Sequence, residues 1–223
     1  MTVTGQGTDT TRALEELADS RPSVRLRAAL AVGTTPDPRH VDELVERCAV
    51  EPEFFVRDML TWALTRHPLP LTLPRLLREL GSARAQARSQ ALHTLSKIGD
   101  AQAWPAITPA LLRDADDEVA RSAWRAAVVL VPDGEEPALT TVLVTQLGRG
   151  GGETQRSLSR ALVALGEVIV PDLLAAESAP DPLVRAHALA TRRLLRDPEA
   201  GFGFLLDEAK RIVALGGSGH GGG

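Results

Sequence analysis

ARSQALHTLSKIGD (87–100), followed by AWPAITPALLRDADDEVARSAWRAAVVL (103–130), states one pattern twice. Ala87-Arg88 and Val119-Ala120 each open a run with apolar residues four and eight positions on, Ala91 and Leu95 in the first, Ala123 and Ala127 in the second. Offsets 0, 4, 7 and 8 share one face of a 3.6-residue helix, so each run is an amphipathic helix. Working outward, the same start recurs at Val24-Arg25, Val56-Arg57, Gln155-Arg156 and Val184-Arg185, with successive spacings of 32, 31, 32, 36 and 29 residues. Before each lies another apolar-periodic stretch: Leu14 and Leu17; Leu44 and Val45; Leu73, Leu76 and Leu77; Leu111 and Leu112; Leu139 and Leu143; Leu173 and Leu174. A single helix pair cannot bury its own stripe, so a two-helix period of this length predicts hairpins stacked on one another. Prolines are expected between helices or at their starts, and Asp114, Asp116 and Asp117 punctuate the turn before Val119.

Composition points the same way. The 223 residues are 43% hydrophobic but only 3% aromatic, with no tyrosine, which favours close-packed helices over sheets. Cys48 is the single cysteine. It has no intrachain disulfide partner and suits a reducing compartment. The polar N-terminus lacks a signal-like apolar core, and no apolar run is long enough to span a bilayer, so a cytoplasmic setting without membrane attachment is expected. A net charge of -4 argues against indiscriminate nucleic-acid binding by the whole surface.

The stretches 114–130, 87–100 and 22–33 (PSVRLRAALAVG) resemble the HEAT-repeat family, and within it the shorter repeats named after phycobilisome lyases. FFVRDMLTWALTRHP (54–68) looks like actinobacterial HEAT-repeat proteins, some of them associated with MerR-type regulators, although a separate DNA-reading domain is not expected among these residues. The expected fold is therefore all-α: a right-handed α-solenoid of about six HEAT-like hairpins over residues 10–215. A flexible leader (1–9) and a Gly-rich disordered tail (216–223) flank it, and GFGFLLDEAKRIVALGG (201–217) supplies a C-terminal capping helix.

Candidate site residues fall into two sets. Arg25, Arg57, Arg88, Arg156 and Arg185, all at offset 1, form an expected structural ladder, each guanidinium bonding a carboxylate or carbonyl of a turn. Offsets 2, 6 and 9 lie opposite the packing stripe. In the middle repeats they place Asp58, Trp62, Ser89, His93, Arg121 and Arg125, with Trp124 beside them, on the expected concave face. Trp and Arg are the residue types that carry recognition energy. The alternative is that Trp62 or Trp124 packs between helices and the charges are solvated. The second helices together carry a net +11 against -4 for the whole chain, which suits an acidic or helical protein segment as partner, with nucleic acid the alternative.

Enzymatic readings find less. The resemblance implies one route, the HEAT-like glycosylases for alkylated bases, whose concave Asp with Trp and Arg around it is imitated by Asp58, Trp62, Trp124 and Arg125. Lyase chemistry would want a reactive thiol, and Cys48 reads as core. His40, Glu43 and Glu46 have metal-compatible helical spacing on a charged helix, and GRGGGE (148–153) precedes a helix as a phosphate cradle would, without the Lys-Ser/Thr or strand of that motif. The expectation is a non-catalytic scaffold or adaptor whose chemistry is recognition, with no catalytic residue, no cofactor and no metal site.

Overall fold

The computed structural model describes residues 12–217, and among these every regular element is helical. The expected leader 1–9 lies outside the described residues, as does most of the Gly-rich tail. No described helix is long and apolar enough to cross a membrane. Contacts divide the chain into two compact units, residues 1–107 and 108–223.

In the first unit, α1 (12–16) leads into α2 (Pro22–Thr34), α3 (Val41–Cys48), α4 (Phe54–Thr65), α5 (Leu69–Glu79) and α6 (Ala85–Ile98). Helices α2, α4 and α6 pack in succession, while α3 and α5 lie against α4 and α6 and against each other. The second unit holds α7 (Pro109–Leu112), α8 (Asp117–Leu130), α9 (Glu136–Val144), α10 (Gly152–Ala164), α11 (Val170–Ala176), α12 (Pro182–Arg196) and α13 (Phe202–Gly217). There α8, α10 and α12 pack in succession, α7 and α11 support α8 and α12, and α13 packs on α12 and α10.

The expected stripe is the core. Val24, Ala28 and Val32, Val56, Leu60 and Leu64, Ala87, Ala91 and Leu95, and Val119, Ala123 and Ala127 are all buried. Helix starts follow the punctuation: the Asp116 carboxylate accepts from the amides of Glu118 and Val119, and Asp181 from Leu183. Pro22, Pro109, Pro137, Pro171 and Pro182 occupy first-turn positions. Pro74 departs from this, lying inside α5.

The fifth repeat is one residue out of the expected register. Thr154, Leu158 and Leu162 are its buried offsets 0, 4 and 8, whereas Val163 is half-buried. Gln155, not Arg156, therefore holds the ladder position. The other members behave as a ladder: Arg25 donates to the Asp19 and Ser20 carbonyls, Arg57 to Glu51 and Pro52, Arg88 to Ser82, and Arg185 to Ala179 and Pro180. These are the carbonyls six and five residues upstream. Gln155 does the same work with its amide, donating to the Gly148 and Gly150 carbonyls. In the fourth repeat Ala120 has no donor side chain, and Arg149 from the following turn donates to the Asp114 carbonyl instead.

A buried carboxylate reinforces the first rungs. Glu51 is 0% exposed and takes a bidentate contact from Arg25 at 2.7 Å, a second guanidinium from Arg47 at 2.7 Å and the Glu53 amide at 3.0 Å. Burial alone would raise its pKa, but the bonds from Arg25, Glu53 and Arg47 outweigh that and hold it at about 2.

Candidate partner-binding face

Offsets 2 and 6 of α2, α4 and α6 point away from the stripe that binds these helices together. Offset 6 places Leu30, Trp62 and His93 in equivalent positions on three helices packed in succession, with Leu30 and Trp62 exposed and His93 half-buried. Asp58, a turn before Trp62, is exposed, and its Oδ1 stands 3.8 Å from His93 Nε2. Ser89, at offset 2 of α6, is buried and offers little surface.

Trp62 is 37% exposed, with the rest of the indole laid on the backbone of α2. A Cβ added at Gly33 would sit inside the van der Waals envelope of the ring and 2.9 Å from Ala63 Cα. Glycine at 33 is thus the condition for this ring position. The tryptophan is anchored along one edge and presents the other outward, so it needs little further ordering to make a contact.

In the second unit the expected group is rearranged. Trp124 is a correction: it is 0% exposed and donates its indole N–H to the Leu112 carbonyl at 2.9 Å, while Arg149 lies 5.9 Å from the ring centroid. Its offset of 5 faces the neighbouring helices, as do Ala29, Thr61, Leu92 and Ser159 at the same offset, all buried. Trp124 is a core residue and contributes no binding surface. Arg121 is also committed, to Glu118 at 2.7 Å and Glu153 at 2.8 Å. Arg125 remains exposed, with the Ser122 hydroxyl as a partner at 3.1 Å.

The register shift brings in two residues that sequence reasoning placed elsewhere or passed over. Arg156 takes offset 2 and Arg160 offset 6 of α10; both are exposed and make no hydrogen bond or ion pair among the described residues. Matching Leu158 and Leu162, rather than Ser159 and Val163, to the apolar offsets would have revealed this. Much of the second-helix positive charge is spent internally, through the ladder and through Arg121, Arg192 with Glu177, and Arg193 with Glu208. Arg125, Arg156 and Arg160 are what the outward face of the second unit retains.

On α12 the same offsets carry Ala186 and Ala190, both buried beneath Phe202, Leu205, Leu206 and Ala209 of α13. Helix α13 thus packs on α12 through Phe202, Leu205, Leu206 and Ala209 and leaves Phe204, Ile212 and Leu215 exposed.

The catalytic candidates are otherwise accounted for. Cys48 is buried, and burial pushes its thiol up to about 12, which removes it as a nucleophile. His40 is buried whereas Glu43 and Glu46 are exposed, and among the described residues no group of three or more His, Cys, Asp or Glu side chains is placed to hold a metal ion. The 148–153 turn is occupied by its own structure: the Gly148 amide donates to His187 Nδ1 at 3.0 Å, Arg149 pairs with Asp117, and Thr154 donates to the same carboxylate. The Gly148 amide, the Arg149 guanidinium and the Thr154 hydroxyl are thus engaged within the turn and its neighbours. Compared with known proteins, the chain matches no family model and no curated protein.

Proposed function

We propose that the protein is a non-catalytic binding scaffold that takes a helical segment of a partner protein on the outward faces of its second helices. In this reading the HEAT-like hairpins form a right-handed α-solenoid, those faces make its concave wall, and the protein works in the reducing setting of the cytoplasm. The observation that supports it most is α13: a helix of the chain itself lies on offsets 2 and 6 of α12, the face that carries Trp62 on α4 and Arg160 on α10. That face accepts an amphipathic helix through small residues on α12. The equivalent face of the first unit offers an anchored indole with Leu30 beside it, which suits apolar side chains, and that of the second unit, taken by itself, offers the Arg125, Arg156 and Arg160 guanidinium groups, which suit acidic ones.

The nucleic-acid alternative, with its glycosylase variant, loses support with Trp124 in the core and Arg121 held by two carboxylates. Affinity capture from native lysate with the wild type and a Trp62→Ala/Arg125→Ala variant, matched for melting curve, tests the proposal. A polypeptide retained by the wild type and lost from the variant is the expected result. Equal retention by both, or retention of nucleic acid that nuclease removes, would overturn it.

A further inference from the structure

A cleft of ≈ 590 Å³ opens in the second unit where α10 meets the connection from α12 to α13. Its apolar lining includes Val163 of α10, Leu194 of α12 and Phe202 of α13, the last two buried. Arg156 and Arg160 line it as well, both exposed. At i and i+4 on one helix their side chains leave neighbouring points about 5–6 Å apart at Cβ, so both guanidinium groups can converge on one oxyanion head. Glu199 also lines the cleft, exposed and with no ion pair to either arginine among the described residues.

We infer that this cleft binds a small amphiphilic organic anion, one compact carboxylate or phosphate head held by Arg156 and Arg160 and an apolar body laid over Val163, Leu194 and Phe202. The volume falls in the range of small-molecule sites, and the combination of an apolar lining with a few convergent polar groups is their usual composition. Two like charges side by side without carboxylate partners repel each other, and an anionic head relieves that repulsion while the apolar body covers the cleft wall. Glu199 limits the negative charge the cleft tolerates, which selects a single head over a polyanion such as a nucleic-acid backbone. Arg156 and Arg160 also lie on the outward face proposed for the partner, so the two readings share these arginines, whereas Trp62 belongs to the partner-binding face alone.

The test uses the full chain and the fluorescent probe 8-anilino-1-naphthalenesulfonate, an organic anion with an aromatic body. Saturable binding to one site is expected, displaced by decanoate and by decyl phosphate, which compare the two head groups. Arg156→Gln and Arg160→Gln are each expected to weaken the probe about tenfold, the size of one charged hydrogen bond lost, with unchanged helical melting curves. Ala164→Trp, which narrows the cleft from an exposed position, gives a second blocking variant without removing charge. Trp62→Ala should leave the probe unaffected, so failure here and failure of the scaffold reading are separable. Absence of saturable binding, wild-type affinity in both arginine variants, displacement by decyltrimethylammonium as effective as by decanoate, or displacement by inorganic phosphate alone at equal concentration would each overturn it.

Discussion

Two of the buried titratable residues, Glu51 and His187, couple stability to pH. Glu51 neutralises and orients two guanidinium groups, and removing its charge leaves Arg25, itself buried, without a counterion. Glu51→Gln is expected to destabilise the protein by about 3–5 kcal/mol in denaturant titration, the usual cost of breaking a buried pair on one side. Its contribution is fully present above the ordinary glutamate range and is lost as pH falls toward about 2. His187 acts in a milder range. Its Nδ1 accepts from Gly148, so Nε2 carries the proton and faces the Gln155 carbonyl at 3.0 Å and Ser159 Oγ at 2.9 Å; the Ser159 and Thr191 hydroxyls meet at 2.7 Å. Burial pushes its pKa down to about 4, against the opposing effect of the Gln155 bond. Between that value and the ordinary 6.5, the unfolded chain binds a proton that the native chain does not, so stability rises with pH across the window. Acidification from pH 6.5 to 4 is expected to cost up to about 3 kcal/mol, and unfolding free energies of a His187→Gln variant should show a flatter slope there.

At the scale of helices and turns, the recurring arginine is a turn clamp, and the fourth and fifth repeats show what happens when it is missing. Arg149 supplies the Asp114 carbonyl with its donor, pairs with Asp117 and covers Trp124. Arg149→Ala is therefore expected to cost about 1–3 kcal/mol through unsatisfied partners, while Arg156→Ala should stay within about 0.5 kcal/mol as a surface change; paired denaturation midpoints decide between this register and the one aligned on Arg156. The repeat was legible wherever a ladder arginine directly follows a buried apolar residue, as at Val24-Arg25, Val56-Arg57 and Ala87-Arg88. It was misread at 155 because Arg156 imitates that signal one position late, while the true rung is a glutamine. Gly150 belongs to the same turn: its φ is +64°, and a Cβ there would come within 2.8 Å of Asp117 Oδ2. Trp124 was misplaced because its charged neighbours face outward, although offset 5 turns its own side chain into the packing between helices.

For the molecule as a whole, sequence periodicity established that helices pair and that their apolar stripes form the cores, because burial imposes those patterns residue by residue. Which side of α12 receives α13 was not legible, since Ala186 and Ala190 are small enough to read as packing residues against any neighbour, and α13 has apolar side chains on more than one side. The consequence is testable through the occupied face. Burying a side chain the size of Phe202, Leu205 or Leu206 stabilises a fold by roughly 1.5–3 kcal/mol, partly offset by the entropy of ordering the helix that carries it. Truncation after Pro198 is therefore expected to lower the unfolding midpoint read by Trp124 fluorescence in a Trp62→Phe/Trp104→Phe background. If offsets 2 and 6 are a helix-receiving face, a synthetic peptide of residues 199–217 added in trans should restore the midpoint with saturation, and the same peptide with Leu205→Asp/Leu206→Asp should not. A truncated chain with an unchanged midpoint would show that α13 contributes no net stability and would remove the principal support for helix recognition; a lowered midpoint that only the native peptide restores would show the face binding its own helix as a ligand.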